Sequence, residues 1–280
     1  MSAPNQSQID LWDGSVGEKW AALHVALDEM LAPVSDQLTD RAGLITGLQL
    51  LDIGCGNGKT CTIWLTGGAE VTGVDVSEAM LAVAQRRTVG KAKLVHADAS
   101  TWRSETPFDF VVSQFGLMFF DDTDAAFTNI AANLRPGGRF LFTCWRSVAE
   151  NQWVTLPMSV VADLIASPTA TIAAPAVPPP GPFALADRDR LAGIVERAGF
   201  TDINITPFDF SVCLATEGGA NAAARFSTKI GPAAAAIAEL GEPAKQTARE
   251  RLAAAYTPFT CGGRVELGGA IWIAEATRRY

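Results

Sequence analysis

Short apolar runs alternate with amphipathic stretches through the part of the chain between residues 48 and 146. The apolar runs predict strands at 48–53, 70–75, 92–97, 108–113 and 139–145. Nearly every position in these runs is apolar, which is typical of strands covered by helices on both faces of a sheet. Strands that alternate with helical periods therefore predict repeated βαβ units and a parallel sheet.

The stretches between the strands carry helix signals. Ser77 is placed to cap one helix, and Asp122 or Thr123 to cap another. A Pro-Gly-Gly turn at 136–138 ends the second of these helices and leads into the fifth strand. We expect both helices to pack on the sheet.

The second half of the chain continues the pattern. It predicts a helix at 187–198, a strand at 201–214, an alanine-rich helical segment at 220–256 and a last strand at 269–277. The predicted fold class is a doubly wound α/β fold with a seven-stranded, mostly parallel sheet, of the Rossmann-like kind, with helical lid insertions.

The regions outside the sheet predict the domain organisation. Residues 1–40 are expected to form an N-terminal helical lid, because apolar side chains recur every three to four positions from Trp20 to Leu31. Residues 41–280 are expected to form the main domain, with insertions at about 146–186 and 215–265 covering an acceptor pocket. Six prolines between 168 and 182 predict an extended loop there.

The composition of the chain limits the kinds of molecule that it is expected to bind. The chain of 280 residues is 48% apolar and 19% charged, as expected of a globular protein. Its formal net charge is −8 and its basic residues form no stripe, which argues against a nucleic-acid partner. No apolar stretch approaches the roughly 20 residues of a membrane span, so we expect a cytoplasmic protein. The five cysteines are scattered without a C-x-x-C pair, and no metal site is predicted.

The strongest motif is the glycine-rich turn from Asp52 to Gly58, which follows the first strand. Glycines let the backbone turn tightly and approach a ligand, and the next helix N-terminus favours anionic groups. A phosphate-binding P-loop would need its first glycine at Ile53, and a dinucleotide site would need its third glycine at Lys59. Both of these alternatives miss by one position.

Two acids follow neighbouring strands. Asp75 closes the second strand, about 20 residues after the glycine turn, where a carboxylate can accept hydrogen bonds from ribose hydroxyls. Asp98, followed by Ala99, comes directly after the third strand, within plausible reach of an adenine amino group. Ligands of open α/β sheets bind along this carboxyl edge, so we expect the turn and both acids to lie together.

In these features residues 45–145 resemble the class I S-adenosylmethionine-dependent methyltransferases, most closely the ubiquinone-biosynthesis-like small-molecule branch. The segments 113–116 and 134–138 resemble later motifs of the same family. The resemblance implies S-adenosyl-L-methionine as cofactor, with the glycine turn at its methionine part, Asp75 at the ribose and Asp98 at the adenine. The residues implied in cofactor binding are Trp20, Asp52, Gly54, Cys55, Gly56, Gly58, Asp75, Val76, Met80, Asp98, Ala99, Gln114 and Phe115.

The implied activity is methyl transfer to an oxygen, nitrogen, sulfur or carbon atom of a small molecule. Such an in-line displacement needs alignment and water exclusion more than a dedicated catalytic residue, and none is assigned. His24 is considered both as a general base and as a surface or capping residue, whereas His96 is expected to be structural. The candidate acceptor-binding residues are His24, Phe119, Trp145, Asn151 and Trp153.

Several functional alternatives stay open at this point. They are an NAD(P)-dependent oxidoreductase and a non-catalytic S-adenosylmethionine-binding partner protein. The segment Ser113-Gln114-Phe115-Gly116 lacks the prolines of enzymes that methylate bases or amide nitrogens, which argues against such acceptors. The alanine-rich insertion suits either a shielded pocket for an uncharged or aromatic acceptor or a homodimer contact.

Overall fold

The computed structural model describes residues 5–165 and 178–280. Its strands are β1 (Gln49–Ile53), β2 (Glu70–Asp75), β3 (Lys93–His96), β4 (Phe108–Gln114), β5 (Leu134–Trp145), β6 (Phe200–Ala215), β7 (Thr260–Cys261) and β8 (Arg264–Arg278). They form one sheet in the order β3-β2-β1-β4-β5-β8-β6, and the two-residue β7 pairs with β8 beside this path. The order reverses between β1 and β4, which makes the carboxyl ends of these two strands the switch point where ligands bind.

The described helices are α1 (Gln6–Trp12), α2 (Ser15–Ala22), α3 (His24–Ala42), α4 (Lys59–Thr66), α5 (Glu78–Thr88), α6 (Thr123–Asn133), α7 (Gln152–Val161), α8 (Arg188–Arg197), α9 (Gly219–Ser227), α10 (Pro232–Ala238) and α11 (Glu242–Tyr256). The expected caps form: Ser77 accepts a hydrogen bond from the Met80 amide, and Asp122 accepts one from the Ala125 amide. No helix in the described ranges is long and apolar enough to cross a membrane.

The predicted α/β fold with a mostly parallel sheet is confirmed, and in the described residues the sheet has one strand more than the seven predicted, the two-residue β7. The first five strands are parallel where they pair, and β8 runs antiparallel to both β5 and β6. The strand bounds differ from the sequence expectation most at β5, which begins at Leu134 rather than at 139, and at β8, which begins at Arg264 rather than at 269. The Pro-Gly-Gly turn lies inside this strand as an irregularity, with Gly137 at φ 73°, and the register with β4 shifts there.

Two predicted helical segments are each divided into several helices. The alanine-rich segment is three helices, because Gly231-Pro232 and Gly241 interrupt it and each new helix has a proline in its first turn. The N-terminal segment is also three helices, and α3 continues through Pro33 to Ala42, past the expected boundary at residue 40. Most of the expected proline-rich loop, residues 168–177, lies outside the described residues.

The core lies on both faces of the sheet. On one face α3 buries Leu27, Met30, Val34 and Leu38, a spacing of three to four residues that forms a continuous helical stripe. Rings from β5, α6 and β6 pack together elsewhere in the core; these are Phe127, Phe140, Phe142 and Phe200, all below 2% exposed. This packing fixes the strand ends that carry the candidate site.

Candidate functional site

The glycine turn joins β1 to α4 and packs closely against Gly116 on one side and Ala84 on the other. Gly54, Gly56 and Gly58 have φ values of 64°, 51° and 74°, which favour glycine. A Cβ on Gly54 would lie 2.7 Å from the Gly116 Cα, and one on Gly58 would lie 2.7 Å from the Ala84 Cβ. At Gly56 the nearest atom is the Met80 sulfur, 3.8 Å away, so the turn is open on this side.

Asp75 at the end of β2 ties the turn to helix α5. Its Oδ2 accepts a hydrogen bond from the Gly56 amide at 2.8 Å, and its Oδ1 accepts one from the Ser77 amide at 2.9 Å. Burial raises the pKa of Asp75, while the amides of Ser77 and Gly56 act in the opposite direction. Each carboxylate oxygen has a second lone pair, so Asp75 can still accept hydrogen bonds from a ligand's hydroxyls.

Asp98 lies just after β3 and is bonded on both oxygens. Its Oδ1 accepts from the Ser100 amide at 2.9 Å and from the Asn5 side-chain amide at 3.3 Å, and its Oδ2 accepts from the Ser100 hydroxyl at 2.5 Å. The Asn5 Oδ1 also accepts a hydrogen bond from the Asp121 amide at 3.2 Å. Asn5 thus links the end of β3 to the loop beyond β4.

The N-terminal helices lie across this edge of the sheet. Asp13 accepts a hydrogen bond from the Glu78 amide at 2.9 Å at the start of α5, and the Trp20 carbonyl accepts one from the Asn57 side chain at 3.2 Å. A Cβ on Gly17 would lie 2.3 Å from the Ser77 hydroxyl oxygen, so α2 sits directly on the start of α5. Helices α1 and α2 therefore cover the glycine turn.

Asp52 and Cys55 lie beneath the turn. Asp52 is 1% exposed, and its burial raises its pKa to about 7 against the opposing hydrogen bonds of Thr60, Cys61 and Trp64. The Cys61 thiol donates to Asp52 Oδ2 at 3.5 Å. The pKa of Cys55 is raised by its hydrogen bond with Cys61 and by burial, so this thiol stays protonated. These side chains support the turn from below.

An aromatic cluster continues from Phe115 to Trp153, in the insertion that follows β5. Phe115, at φ 64°, stacks on Trp145 with ring centroids 4.6 Å apart. Trp145 also lies 4.8 Å from Trp153 and 5.9 Å from Phe210. In a separate contact, Phe119 packs edge to face against Trp12 at 4.9 Å. The aromatic candidates from the sequence thus fall into two groups, one around Trp145 and one around Trp12.

Two polar candidates for acceptor binding, Asn151 and His24, form hydrogen bonds with other residues of the protein. The Asn151 amide donates to the carbonyls of Arg146, Ser147 and Ala270, and its Oδ1 accepts from the Trp153 indole and the Ala270 amide. With an exposure of 0%, Asn151 has a structural role that fastens the start of α7 to β8. His24 Nδ1 lies 2.8 Å from the Ala21 carbonyl, which gives this ring a capping role between α2 and α3.

The structure brings the cofactor candidates of the sequence to the carboxyl ends of β1, β2, β3 and β4. His96, expected to be structural, contacts the Val76 carbonyl at 2.8 Å, and Gln114 accepts from the Ser35 hydroxyl at 2.9 Å. Three residues at this edge were missed: Asn5, Asp13 and Asn57. Asn57 lies inside the glycine motif and could have been included among the cofactor candidates. Asn5 and Asp13 are single polar residues far from that motif in sequence, so no pattern identifies them.

The residues present fit a ligand with a nucleoside and an amino-acid part. Among the described residues, Asn57 Oδ1 and Trp12 Nε1 are buried polar atoms without a partner, and both belong to residues that border the turn. Buried polar atoms are normally hydrogen-bonded, and a ligand at this edge would supply the missing partners. The carboxylates of Asp75 and Asp98 are the acceptors that ribose hydroxyls and an adenine amino group require.

A comparison with known protein families matches the stretch of chain that carries this site. Residues 51–142 match the family model described as "Methyltransferase domain". This stretch is a methyltransferase domain. The prediction of a methyltransferase is confirmed for these residues. Its ubiquinone-biosynthesis-like branch and S-adenosylmethionine as cofactor are supported by relatives and a solved structure that match this protein in part. The oxidoreductase alternative finds no support in this match.

Curated relatives of the methyltransferase domain cover part of the chain. A ubiquinone biosynthesis O-methyltransferase of Sinorhizobium medicae is 30% identical over 152 residues, which are 48% of this chain and 61% of the relative. The chain thus matches about three-fifths of the length of that relative. A demethylmenaquinone methyltransferase of Clavibacter sepedonicus is 33% identical over 120 residues, covering 40% of this chain and 49% of the relative.

Solved structures extend the likeness of fold to the whole chain. Phosphoethanolamine N-methyltransferase 2 of Haemonchus contortus, in complex with S-adenosylhomocysteine, superposes with a TM-score of 0.59. It is 17% identical, and the match covers 100% of this chain and 61% of that one. At this identity the likeness shows the fold of the methyltransferase domain and leaves the acceptor open.

Proposed function

We propose that this protein is an enzyme that transfers the methyl group of S-adenosylmethionine to a small-molecule acceptor. The observation that carries the proposal is the convergence of the open glycine turn, Asp75 and Asp98 at one edge of the sheet. In this assignment Asp75 holds the ribose hydroxyls, Asp98 the adenine amino group, and the turn and Asn57 the methionine part. When bound, the cofactor supplies a methyl group on a positively charged sulfur, which is a good leaving group.

The residues around the site contribute alignment and exclusion of water. The Phe115, Trp145 and Trp153 rings form an apolar wall beside the turn, and helices α1 and α2 close the other side. A dry, fixed site converts a bimolecular displacement into one between prealigned groups. His24 Nδ1 and His96 Nε2 each lie 2.8 Å from a backbone carbonyl, so only the other nitrogen of each ring could accept a proton. The acceptor atom is proposed to be one that loses its proton readily.

Oxygen is the proposed accepting atom. The Sinorhizobium relative is named an O-methyltransferase. A hydroxyl on an aromatic ring is more acidic than an aliphatic one, so it can react without a strong base in the protein. The net charge of −8 supports a small acceptor rather than nucleic acid. Screening metabolite pools with methyl-labelled cofactor identifies the acceptor, because the label enters only a true product.

The N-terminal segment is proposed to act as the lid of this site. Asn5 contacts Asp98, Asp13 and Gly17 contact the start of α5, and the Trp20 carbonyl contacts Asn57 in the turn. A closed lid excludes water, and its opening admits the cofactor. The insertions that follow β5 and β6 are proposed to cover the acceptor on the opposite side.

Other proposals concern assembly and location. A homodimer is retained as a proposal, but the alanine-rich insertion offers little for it. Ala223, Ala224, Ala233 and Ala248 are each at most 2% exposed, because they pack within this chain. Light scattering during size-exclusion chromatography measures the mass directly. A cytoplasmic location is proposed from the acidic, globular character of the chain and is tested by cell fractionation.

The first experiment is calorimetric titration with S-adenosylhomocysteine. We expect the wild type to bind with a Kd in the micromolar range, and Asp75→Asn to bind at least tenfold more weakly, because charge-assisted hydrogen bonds to ribose are lost. Glu70→Gln is the matched control, since Glu70 lies at the other end of the same strand. Wild-type protein that binds NADH and not S-adenosylhomocysteine would refute the proposal.

A further inference from the structure

A cavity of about 520 Å³ lies between the end of α3, the segment 43–46 that leads to β1, and one face of α4. Of the described residues that line it, none is a predicted cofactor-binding residue. Protein pockets that hold small organic ligands have volumes of about 300–1,000 Å³. The cavity is therefore large enough for such a ligand, and its lining is separate from the cofactor edge.

The walls of this cavity are mainly apolar. Ala42 and Ile45 are buried, Ile63 on α4 is half-buried, and Leu44 is 94% exposed. Covering apolar surface that otherwise faces water is a main source of binding free energy. The lining therefore favours a ligand with an apolar body.

Four threonines also line the cavity, but their hydroxyl protons are already used. Each hydroxyl donates to a backbone carbonyl at a distance between 2.8 and 3.1 Å: Thr39 to Ser35, Thr46 to Gly67, Thr62 to Gly58, and Thr66 to Thr62. A hydroxyl has one proton, so these side chains offer only lone pairs to a ligand. They cannot donate a hydrogen bond to an anionic group without giving up a backbone partner.

Two cationic side chains line the cavity, and they differ in their partners. Arg87 is bonded to the Asp28 carboxylate at 2.5 Å and to the Asn57 carbonyl at 3.4 Å. Lys59, the first residue of α4, has no ion pair and no side-chain hydrogen bond among the described residues. Its ammonium group carries three donors and no acceptor. Within the described lining, Lys59 is thus the group that can bind an anion without breaking an existing contact.

We propose that this cavity is a second binding site, which takes a small organic anion with an apolar body, such as an aromatic carboxylate or sulfonate. Lys59 binds the anionic group, while Leu44 and Ile63 contact the apolar body. Lys59 is itself half-buried, so water screens its charge less than it would at an open surface. The site goes beyond the proposed methyl transfer, since it uses no residue of the cofactor edge.

The test compares two fluorescent probes that share one ring system. Anilinonaphthalene sulfonate carries an anionic group, and N-phenylnaphthylamine lacks it. Both are titrated into the full chain. We expect the wild type to bind one equivalent of the sulfonate probe, and Lys59→Gln to bind it about fivefold more weakly, as the loss of one partly exposed ion pair permits. The affinity of this variant for the neutral probe should be unchanged.

Three further variants make the assignment specific. Lys59→Arg keeps the charge and should bind the sulfonate probe nearly as tightly as the wild type. Lys229→Gln removes an exposed lysine beyond α9 that does not line the cavity, and it should leave both affinities unchanged. Ile63→Thr should weaken both probes to a similar degree, because it removes apolar surface from the wall without altering the charge.

The inference is overturned if the wild type shows no saturable binding of the sulfonate probe, if Lys59→Gln keeps the wild-type affinity, or if Ile63→Thr weakens neither probe. Saturating S-adenosylhomocysteine is then added to the complex of the wild type and the probe. Loss of the bound probe would place it at the cofactor edge and would also overturn the inference, whereas we expect the probe to remain bound. A protein that does not bind S-adenosylhomocysteine at all defeats the proposed function and leaves the result at Lys59 intact.

Discussion

The cofactor edge and the helical insertion that follows β6 are built in opposite ways. At the cofactor edge, backbone amides and carboxylates are close together, as where Asp75 joins Gly56 and Ser77. In the insertion, apolar side chains of α9, α10 and α11 are buried together, and the Tyr256 hydroxyl donates to the Ser227 oxygen at 2.8 Å. The first region depends on exact backbone geometry, whereas the second depends on which side chains pack between the helices. Substitutions should therefore harm the two regions by different routes.

The largest expected effect follows from breaking the backbone geometry of the cofactor edge. Gly54→Ala places a Cβ 2.7 Å from the Gly116 Cα at φ 64°, so β1 and β4 must move apart. We expect it to lower the free energy of unfolding by about 3 kcal/mol and to abolish measurable binding of S-adenosylhomocysteine. Chemical denaturation and calorimetry measure these effects.

Gly262→Ala is the matched control for backbone strain. Gly262 has φ 57°, but an added Cβ would meet nothing within 4 Å. It should lower the free energy of unfolding by only about 1 kcal/mol and leave binding unchanged. Equal losses in the two variants would mean that the close approach of Gly54 and Gly116 has no importance beyond the φ angle.

The difference between the regions also decides what the sequence could reveal. The glycines and acids of the cofactor edge keep a fixed order along the chain, because each must follow a particular strand. Asp75 and Asp98 were therefore identified before their positions in space were known. Ser227 and Tyr256 are 29 residues apart, on separate helices that the sequence predicted only as one helical segment. Only the packing of α9 on α11 brings them together.

Single hydrogen bonds between distant segments could not be predicted from the sequence either. Asn151 was a candidate for acceptor binding because its tryptophan-bearing segment is similar to segments of related methyltransferases, but its side-chain amide is hydrogen-bonded to β8. Asn5 was not considered, although its side chain reaches Asp98, 93 residues away. Hydrophobic periodicity indicates which face of a helix is buried, but it does not predict the hydrogen bonds of an individual side chain.

A second prediction concerns the buried acid beneath the cofactor edge. The pKa of Asp52 is raised to about 7 by burial, above the ordinary value of 3.8 that applies to the unfolded chain. The folded state then binds more protons than the unfolded state between these values, so stability falls as pH rises from about 4 to about 7. The loss attributable to Asp52 is at most about 4 kcal/mol. Above about pH 7 the contribution of Asp52 to the free energy of unfolding no longer changes with pH.

The measurement is the free energy of unfolding of the wild type and Asp52→Asn from pH 5 to pH 8. We expect the wild type to lose more stability than the variant as pH rises, because an amide does not titrate. Asp163→Asn is the control, since this acid is exposed and bonded to Arg251, which lowers its pKa. Parallel curves for the wild type and Asp52→Asn would show that Asp52 does not titrate in this range.

The smallest expected effect concerns the link between the lid and the cofactor edge. Asn5→Gly removes the hydrogen bonds to Asp98 and Asp121, while glycine tolerates the φ of 62° at this position. We expect affinity for S-adenosylhomocysteine to fall about threefold to tenfold, and hydrogen exchange in α1 and α2 to become faster. Gln6→Ala, which loses only an exposed bond to Asp10, should change neither quantity. An increase in affinity would instead mean that Asn5 occupies part of the adenine site, and the lid would then compete with the cofactor rather than enclose it.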